Sequence, residues 1–219
     1  MKVVICGAGG QGRVVLDILR AAGEHEPVGF IDSSPDRAGQ TVGGLPVFGP
    51  VNVLPKIRRQ KLGHAIVAIG DTRVRQRYAQ LLKEQGFELV NAIHPTAWVS
   101  PTATIGENVV IAPNASVCTD AKVAASVILN TNCVVDHECE IGEGAHICPG
   151  VNLGGRVRVG RCAWVGIGAN VIQCVSIGEY ATIGAGAAVI RDVPPHATVV
   201  GVPARIIKVS EPQADPTIQ

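Results

Sequence analysis

Residues 123–153 read VAASVILNTNCVVDHECEIGEGAHICPGVNL, and an aliphatic residue returns at every sixth position: Val123, Leu129, Val135, Ile141, Ile147 and Leu153. The series runs on without a gap, back through Val117, Ile111, Ile105 and Val99 to Ile93, and forward through Val159, Val165, Val171, Ile177 and Ile183 to Val189, seventeen positions in all. Two residues before each, from Ala97 to Ala187, only Ala, Val or Cys occurs. Gly often follows the aliphatic residue, as at Gly106, Gly142, Gly160 and Gly178.

A six-residue period is the mark of a coil of short strands. Residues i−2 and i of a strand share a face, so both points of the pattern face inward and the residue between them faces out. Three residues remain to turn a corner. Three hexads close a triangular coil of 18 residues, and successive coils stack at ~4.8 Å. Residues 93–194 supply a little over five such coils. Each buried Val or Ile contributes roughly 1.5–3 kcal/mol before entropy is subtracted. Cys133 and Cys139 fall in small-residue slots, where Cys acts as a small hydrophobe. The period predicts a parallel β-helix and does not by itself give its hand.

Composition agrees with a thin, regular core: aromatics are 3% of 219 residues, and Gly supplies 26. The net charge is +1 with both signs dispersed, so neither a basic stripe for nucleic acid nor an acidic tail is present. No apolar stretch approaches the ~20 residues of a membrane span. The opening MKVVICGAGGQG lacks a signal-peptide cleavage pattern. Seven cysteines without a CxxC pair fit neither a disulfide framework nor a metal site. A reducing cytoplasm is therefore the expected location.

Ahead of the repeat, residues 2–6 (KVVIC) read as a buried strand, followed by Gly7-Ala8-Gly9-Gly10-Gln11-Gly12 and an amphipathic helix to about Ala22. Further strands are expected at Val28–Ile31, Ala65–Ile69 and Glu88–Ile93, with a helix over Arg73–Gln85. This is the pattern of a small Rossmann-like α/β domain over residues 1–92. Gly7, Gly9 and Gly12 match GxGxxG, and Asp32 follows Gly12 by 20 residues, where a ribose-binding acid would stand. Such a loop lets backbone N–H groups approach a phosphate at a helix N-terminus. The plainer alternative is a tight strand-to-helix turn with no ligand. Only half of a dinucleotide fold fits before residue 93, which argues against NAD.

The order GAGGQG, FIDS, AIGD, a hexapeptide region with DHECEIGEGAHICPG, and GVPAR resembles the family of sialic acid O-acetyltransferases and bacillosamine-type nucleotide-sugar N-acetyltransferases. The likeness spans about residues 1–208. It implies a left-handed parallel β-helix over 93–208, with the polar residues 209–219 expected to be a disordered tail. It also implies acetyl-CoA as co-substrate and a sugar as acceptor. The acceptor atom expected is the 4-amino group of a nucleotide-linked sugar, because a phosphate-cradling loop has no evident partner in a free sialic acid. O-acetylation of a sugar is the alternative.

The family's catalytic histidine matches His137, and Glu138 beside it would raise the basicity of the imidazole. The hexad places both at a corner, after inward Val135 and outward Asp136. A histidine suits general-base work because its ordinary pKa is ~6.5; without the likeness, His137 and Glu138 would read equally well as a surface pair. The family's acetyl-CoA contacts match His146, on a flat face, and Ile167 and Ala185, 18 residues apart on one corner. Its sugar-nucleotide contacts match Gly9, Gly10 and Gln11, then Asp32 and Ser33, then Gly70 and Arg73. Gln11 stands where some relatives carry His. The Gly43–Pro55 segment aligns poorly.

His137 and His146 are nine residues apart, half a coil. The triangular core would separate them within one chain, so a homotrimer with sites shared between subunits is expected. No metal is expected. Trimeric β-helix carbonic anhydrases, a competing class, need three His, whereas here His94 and His196 lie at the ends of the repeat. A catalytically silent nucleotide-sugar-binding protein is a second competitor.

Overall fold

The structure, a computed structural model, describes residues 1–212 and 216. Among the described residues the chain divides into two compact units, the first over Met1–Pro95 with Pro216 and the second over residues 96–212.

The first unit is built on a sheet of strands β1 (Lys2–Cys6), β2 (Glu26–Ile31), β3 (Thr41–Val42), β4 (Leu45–Gly49), β5 (His64–Val67) and β6 (Glu88–Leu89), in the order β3-β4-β2-β1-β5-β6. All neighbours are parallel except β3 and β4. Val3, Val4, Ile5 and Cys6 are all buried, as expected of a central parallel strand covered on both faces. Helix α1 (Gly10–Ala22) buries Val15, Leu16, Ile18 and Leu19 on one stripe and ends at Gly23, which is left-handed and donates its N–H to Leu19 O. A short helix α2 spans Leu54–Arg59. Helix α3 (Thr72–Glu84) is capped by Asp71, whose carboxylate accepts from Arg73 N–H and Val74 N–H.

Two elements depart from the sequence expectation. The poorly aligning Gly43–Pro55 segment opens with a β3–β4 hairpin around Gly43-Gly44, both at positive φ (55° and 81°). That is the two-residue turn whose twist matches antiparallel strands, and it lets β4 extend the sheet beside β2. The strand expected over Glu88–Ile93 breaks into β6 and a separate pair, Ala92–Ile93.

In the second unit each hexad forms a two-residue strand paired in parallel with the strand one coil on, as in the column Ser116–Val134–Asn152–Asn170–Ala188. From Ile111 to Val189 every aliphatic hexad position is buried. Val99 and Ile105, in the first coil, are only half-buried, because a terminal coil stacks on one side only. The third corner residue falls in the left-handed region at every sixth position from Asn108 to Gly186, with φ between 53° and 69°. Gly and Asn adopt this conformation most readily. Even so, Glu138, Arg156, Cys162, Cys174 and Tyr180 hold it as well. The far end closes with an antiparallel hairpin, Ala197–Val200 against Arg205–Val209. This strand includes Val209, the first residue of the expected tail, and Ser210 N–H still donates to His196 O. Most of the remaining tail (213–215 and 217–219) lies outside the described residues.

Candidate functional site

The first unit carries a cleft of about 580 Å³ at the C-terminal ends of β1, β2 and β5, where ligands of open parallel sheets bind. Gly9, Gly10, Gln11, Asp32, Ser33 and Gly70 all line it. Arg73 is not among the lining residues; its N–H is taken up in the Asp71 cap. Ser34, Ile69, Val74 and Tyr78, which the sequence did not single out, are among the other residues that line it. A Cβ added at Gly9, Gly10 or Gly70 would meet no atom within 4 Å, so these positions face open space. Gly12 is different: a Cβ there would collide with the Gly7 carbonyl, so it serves the close packing of helix on strand.

The Asp32 carboxylate accepts from Ala8 N–H (2.8 Å) on one oxygen and from Ser34 N–H (3.0 Å) on the other. Arg37 donates to Ala8 O (2.7 Å). Asp32 thus holds the glycine loop in shape, in addition to facing the cleft. Burial pushes the Tyr78 hydroxyl up, with the Cys6 thiol adding to this and a hydrogen bond with Ser33 opposing it. Burial and the Asp32 charge push the Cys6 thiol up too, so it stays protonated.

His137 and Glu138 stand at one corner of the second unit, both half exposed. Nδ1 of His137 lies 2.9 Å from Glu138 Oε2, and Arg156 Nε, one coil on, donates to the same oxygen at 3.1 Å. The hydrogen bond from His137, then the hydrogen bond and charge of Arg156, hold the Glu138 carboxyl below the usual carboxylate range. An ionised carboxylate only accepts. Nδ1 must therefore carry the proton, which leaves Nε2 of the neutral ring as the acceptor. His137 N–H donates to Asp136 Oδ1 (2.7 Å) and fixes the approach to the corner.

A second groove, of about 500 Å³, brings together the three residues assigned to acetyl-CoA: His146, Ile167 and Ala185. Asn130, Cys148, Trp164 and Thr182 also line it. Pro149, Ile167 and Ala185 stack at 18-residue intervals on its corner, and Ile167 is 61% exposed. His146 stands on the outward ladder between Ile128 and Trp164, yet it is only 4% exposed, with the Trp164 ring 4.3 Å away between centroids. Thr131 N–H donates to Asn130 Oδ1, which turns the Asn130 amide nitrogen toward His146 Nε2 at 3.4 Å. Burial pushes the Cys148 thiol to about 12.

The His137 corner joins the faces of Val134–Val135 and Glu140–Ile141, whereas His146 lies on the third face. Within one chain the core stands between them. Among the described residues, no group of three His, Cys, Asp or Glu side chains is placed to hold a metal ion, and no helix is long and apolar enough to cross a membrane.

A cleft at the strand ends of a half-Rossmann domain, joined to a β-helix with a paired histidine and an apolar groove, defines the class of hexapeptide-repeat acyltransferases. The PglD N-terminal domain model matches residues 2–82. PerB from Caulobacter crescentus, solved with CoA and GDP-perosamine, is 42% identical over 95% of this chain and 98% of its own, with a TM-score of 0.91. The acetyltransferase domain of PglB from Neisseria gonorrhoeae, solved with acetyl coenzyme A, is 35% identical over 94% of this chain and 98% of its own, with a TM-score of 0.87. WeeI from Acinetobacter baumannii is 26% identical over 94% and 100%, with a TM-score of 0.83. The chain belongs to this family of acetyl-CoA-dependent nucleotide-sugar N-acetyltransferases, and its β-helix is left-handed as theirs is.

Proposed function

We propose that the protein transfers an acetyl group from acetyl-CoA to the 4-amino group of a nucleotide-linked sugar. GDP-linked 4-amino sugars of the perosamine kind are the first to test, given the ligand of the 42%-identical relative. The observation that carries the mechanism is the His137 Nδ1–Glu138 contact, which leaves Nε2 free to take a proton. The amine nitrogen attacks the thioester carbonyl carbon and its proton passes to His137 Nε2. The C–S bond then breaks, and the CoA sulfur leaves as the thiol by taking the proton from His137 Nε2, which returns the ring to its neutral form. Glu138 holds the ring in the required tautomer and stabilises the imidazolium. The perosamine enzyme has likewise been solved with one histidine replaced by Asn or Ala.

Direct transfer needs no acyl-enzyme. The thiol in the groove, Cys148, is protonated at neutral pH, and the thiolate is the nucleophilic form. The glycine loop and Asp32–Ser33 hold the nucleotide, with Gly70 completing that cleft and Arg73 lying at the start of α3. His146, Ile167 and Ala185 hold acetyl-CoA. Because His137 and His146 lie on different sides of the core, the active unit is a cyclic homotrimer in which one chain supplies His137 and the next supplies the acetyl-CoA groove. The enzyme works in the cytoplasm, where acetyl-CoA and nucleotide sugars meet. Release of CoA thiol, measured with UDP-, GDP- and dTDP-linked 4-amino sugars and with free sialic acid, tests the proposal. Turnover of free sialic acid alone would overturn it in favour of O-acetylation.

A further inference from the structure

We propose that the coil stacked on His137 is built to seat the imidazole: Gly155 supplies the space for the ring, and Arg156 anchors the carboxylate that orients it. Both are positioning residues, and their importance for turnover rests on His137 being the base.

Gly155 and Arg156 follow His137 and Glu138 by one 18-residue coil, and Arg156 N–H donates to the His137 carbonyl at 2.9 Å. A Cβ added at Gly155 would lie against Nε2, Cε1 and Cδ2 of the His137 ring, the last at 3.0 Å. These three ring atoms are its nearest neighbours. The backbone gives no other reason for glycine, because Gly155 lies outside the left-handed region. The same corner position carries His137 one coil below, Thr119 two coils below and Gln173 one coil above, so a side chain is accommodated there in general. Adjacent Gly154 shows the contrast: a Cβ there would strike the backbone of Gln173. At Gly155 the obstacle is a rotatable side chain. An added methyl therefore leaves the coil intact and turns the ring out of its contact with Glu138.

Arg156 works on the same pair from the other side. Its Nε and the His137 Nδ1 converge on one oxygen, Glu138 Oε2, so the carboxylate is held toward the ring. In an exposed pair the ionic energy itself is small; what Arg156 supplies is direction.

The test combines kinetics with 15N NMR of histidine-labelled protein, the His137 signals being assigned by their loss in His137→Ala. Gly155→Ala is expected to melt within a few degrees of wild type. It should lower kcat at least ~10-fold with KM for acetyl-CoA unchanged, and lose the Nδ1–H tautomer of His137. Added to His137→Ala, it should cause no further loss, since it acts only through that ring. Arg156→Gln is expected to lower kcat severalfold, and Arg156→Lys to recover part of it. A Gly155→Ala protein that keeps the wild-type tautomer and kcat, that fails to fold, or that loses as much activity in the His137→Ala background overturns the proposal. Should His137→Ala itself retain full activity, the base assignment fails, while the tautomer measurement still decides whether Gly155 seats the ring.

Discussion

Mixing two inactive variants tests whether the catalytic site is shared between subunits. His137 stands on the corner between two faces, and the groove of Ile167 and Ala185 opens on the third face and its far corner. One chain therefore cannot bring both to one acetyl group. His146 is a poor choice for the groove variant because it is buried against Trp164. Ala185→Trp is better, since residue 185 is exposed and the added indole fills the groove without touching the core. His137→Ala and Ala185→Trp proteins, each nearly inactive alone, are dissociated, mixed in equal amounts and reassembled. A site formed between neighbours works only when one chain has His137 intact and the next has Ala185 intact. With random assembly those are two independent halves, so roughly a quarter of wild-type thiol release should return. If both elements came from one chain, no mixed trimer would hold a working site. Activity at the mutant background, with subunit exchange confirmed by mass, would refute the shared site.

His137→Ala should lower kcat roughly 10²–10⁴-fold at neutral pH with both KM values little changed, because it removes a proton acceptor from an exposed corner; near-normal turnover in a steady-state assay would refute the base role. Gly9→Val should weaken nucleotide-sugar binding while leaving KM for acetyl-CoA alone, because a side chain there enters open cleft space and strikes no protein atom. Titration calorimetry with the nucleotide sugar checks this, and a parallel loss of acetyl-CoA affinity would count against separate sites. Glu138→Asn should melt at or above the wild-type temperature, since Asn already occupies the left-handed corners at 108, 114 and 132, yet it should turn over more slowly. A melting point well below wild type would show that the Glu138 contacts outweigh its backbone strain.

The β-helix was legible because its determinant is local and repeated: each hexad places one small and one branched residue on the same side of a strand, and only a closed triangular coil buries them all. The strand, glycine loop and helix at the N-terminus were legible for a similar reason, as short-range conformational preferences. The β3–β4 hairpin was missed although Gly43-Gly44 marks it, because β3 is only two residues long and leaves no periodic signal. At the site, it was the resemblance to the acetyltransferase family, carried by motifs such as DHECEIGEGAHICPG, that pointed to His137, Glu138, His146, Ile167 and Ala185. Tertiary structure alone showed that Asp32 binds the loop at Ala8 and Ser34, that Trp164 covers His146, and that Gly155 and Arg156 close around the His137–Glu138 pair. These are contacts between elements or between coils. A sequence period sets which residues stack 18 apart, whereas rotamers and steric exclusion across the stack decide which of them touch.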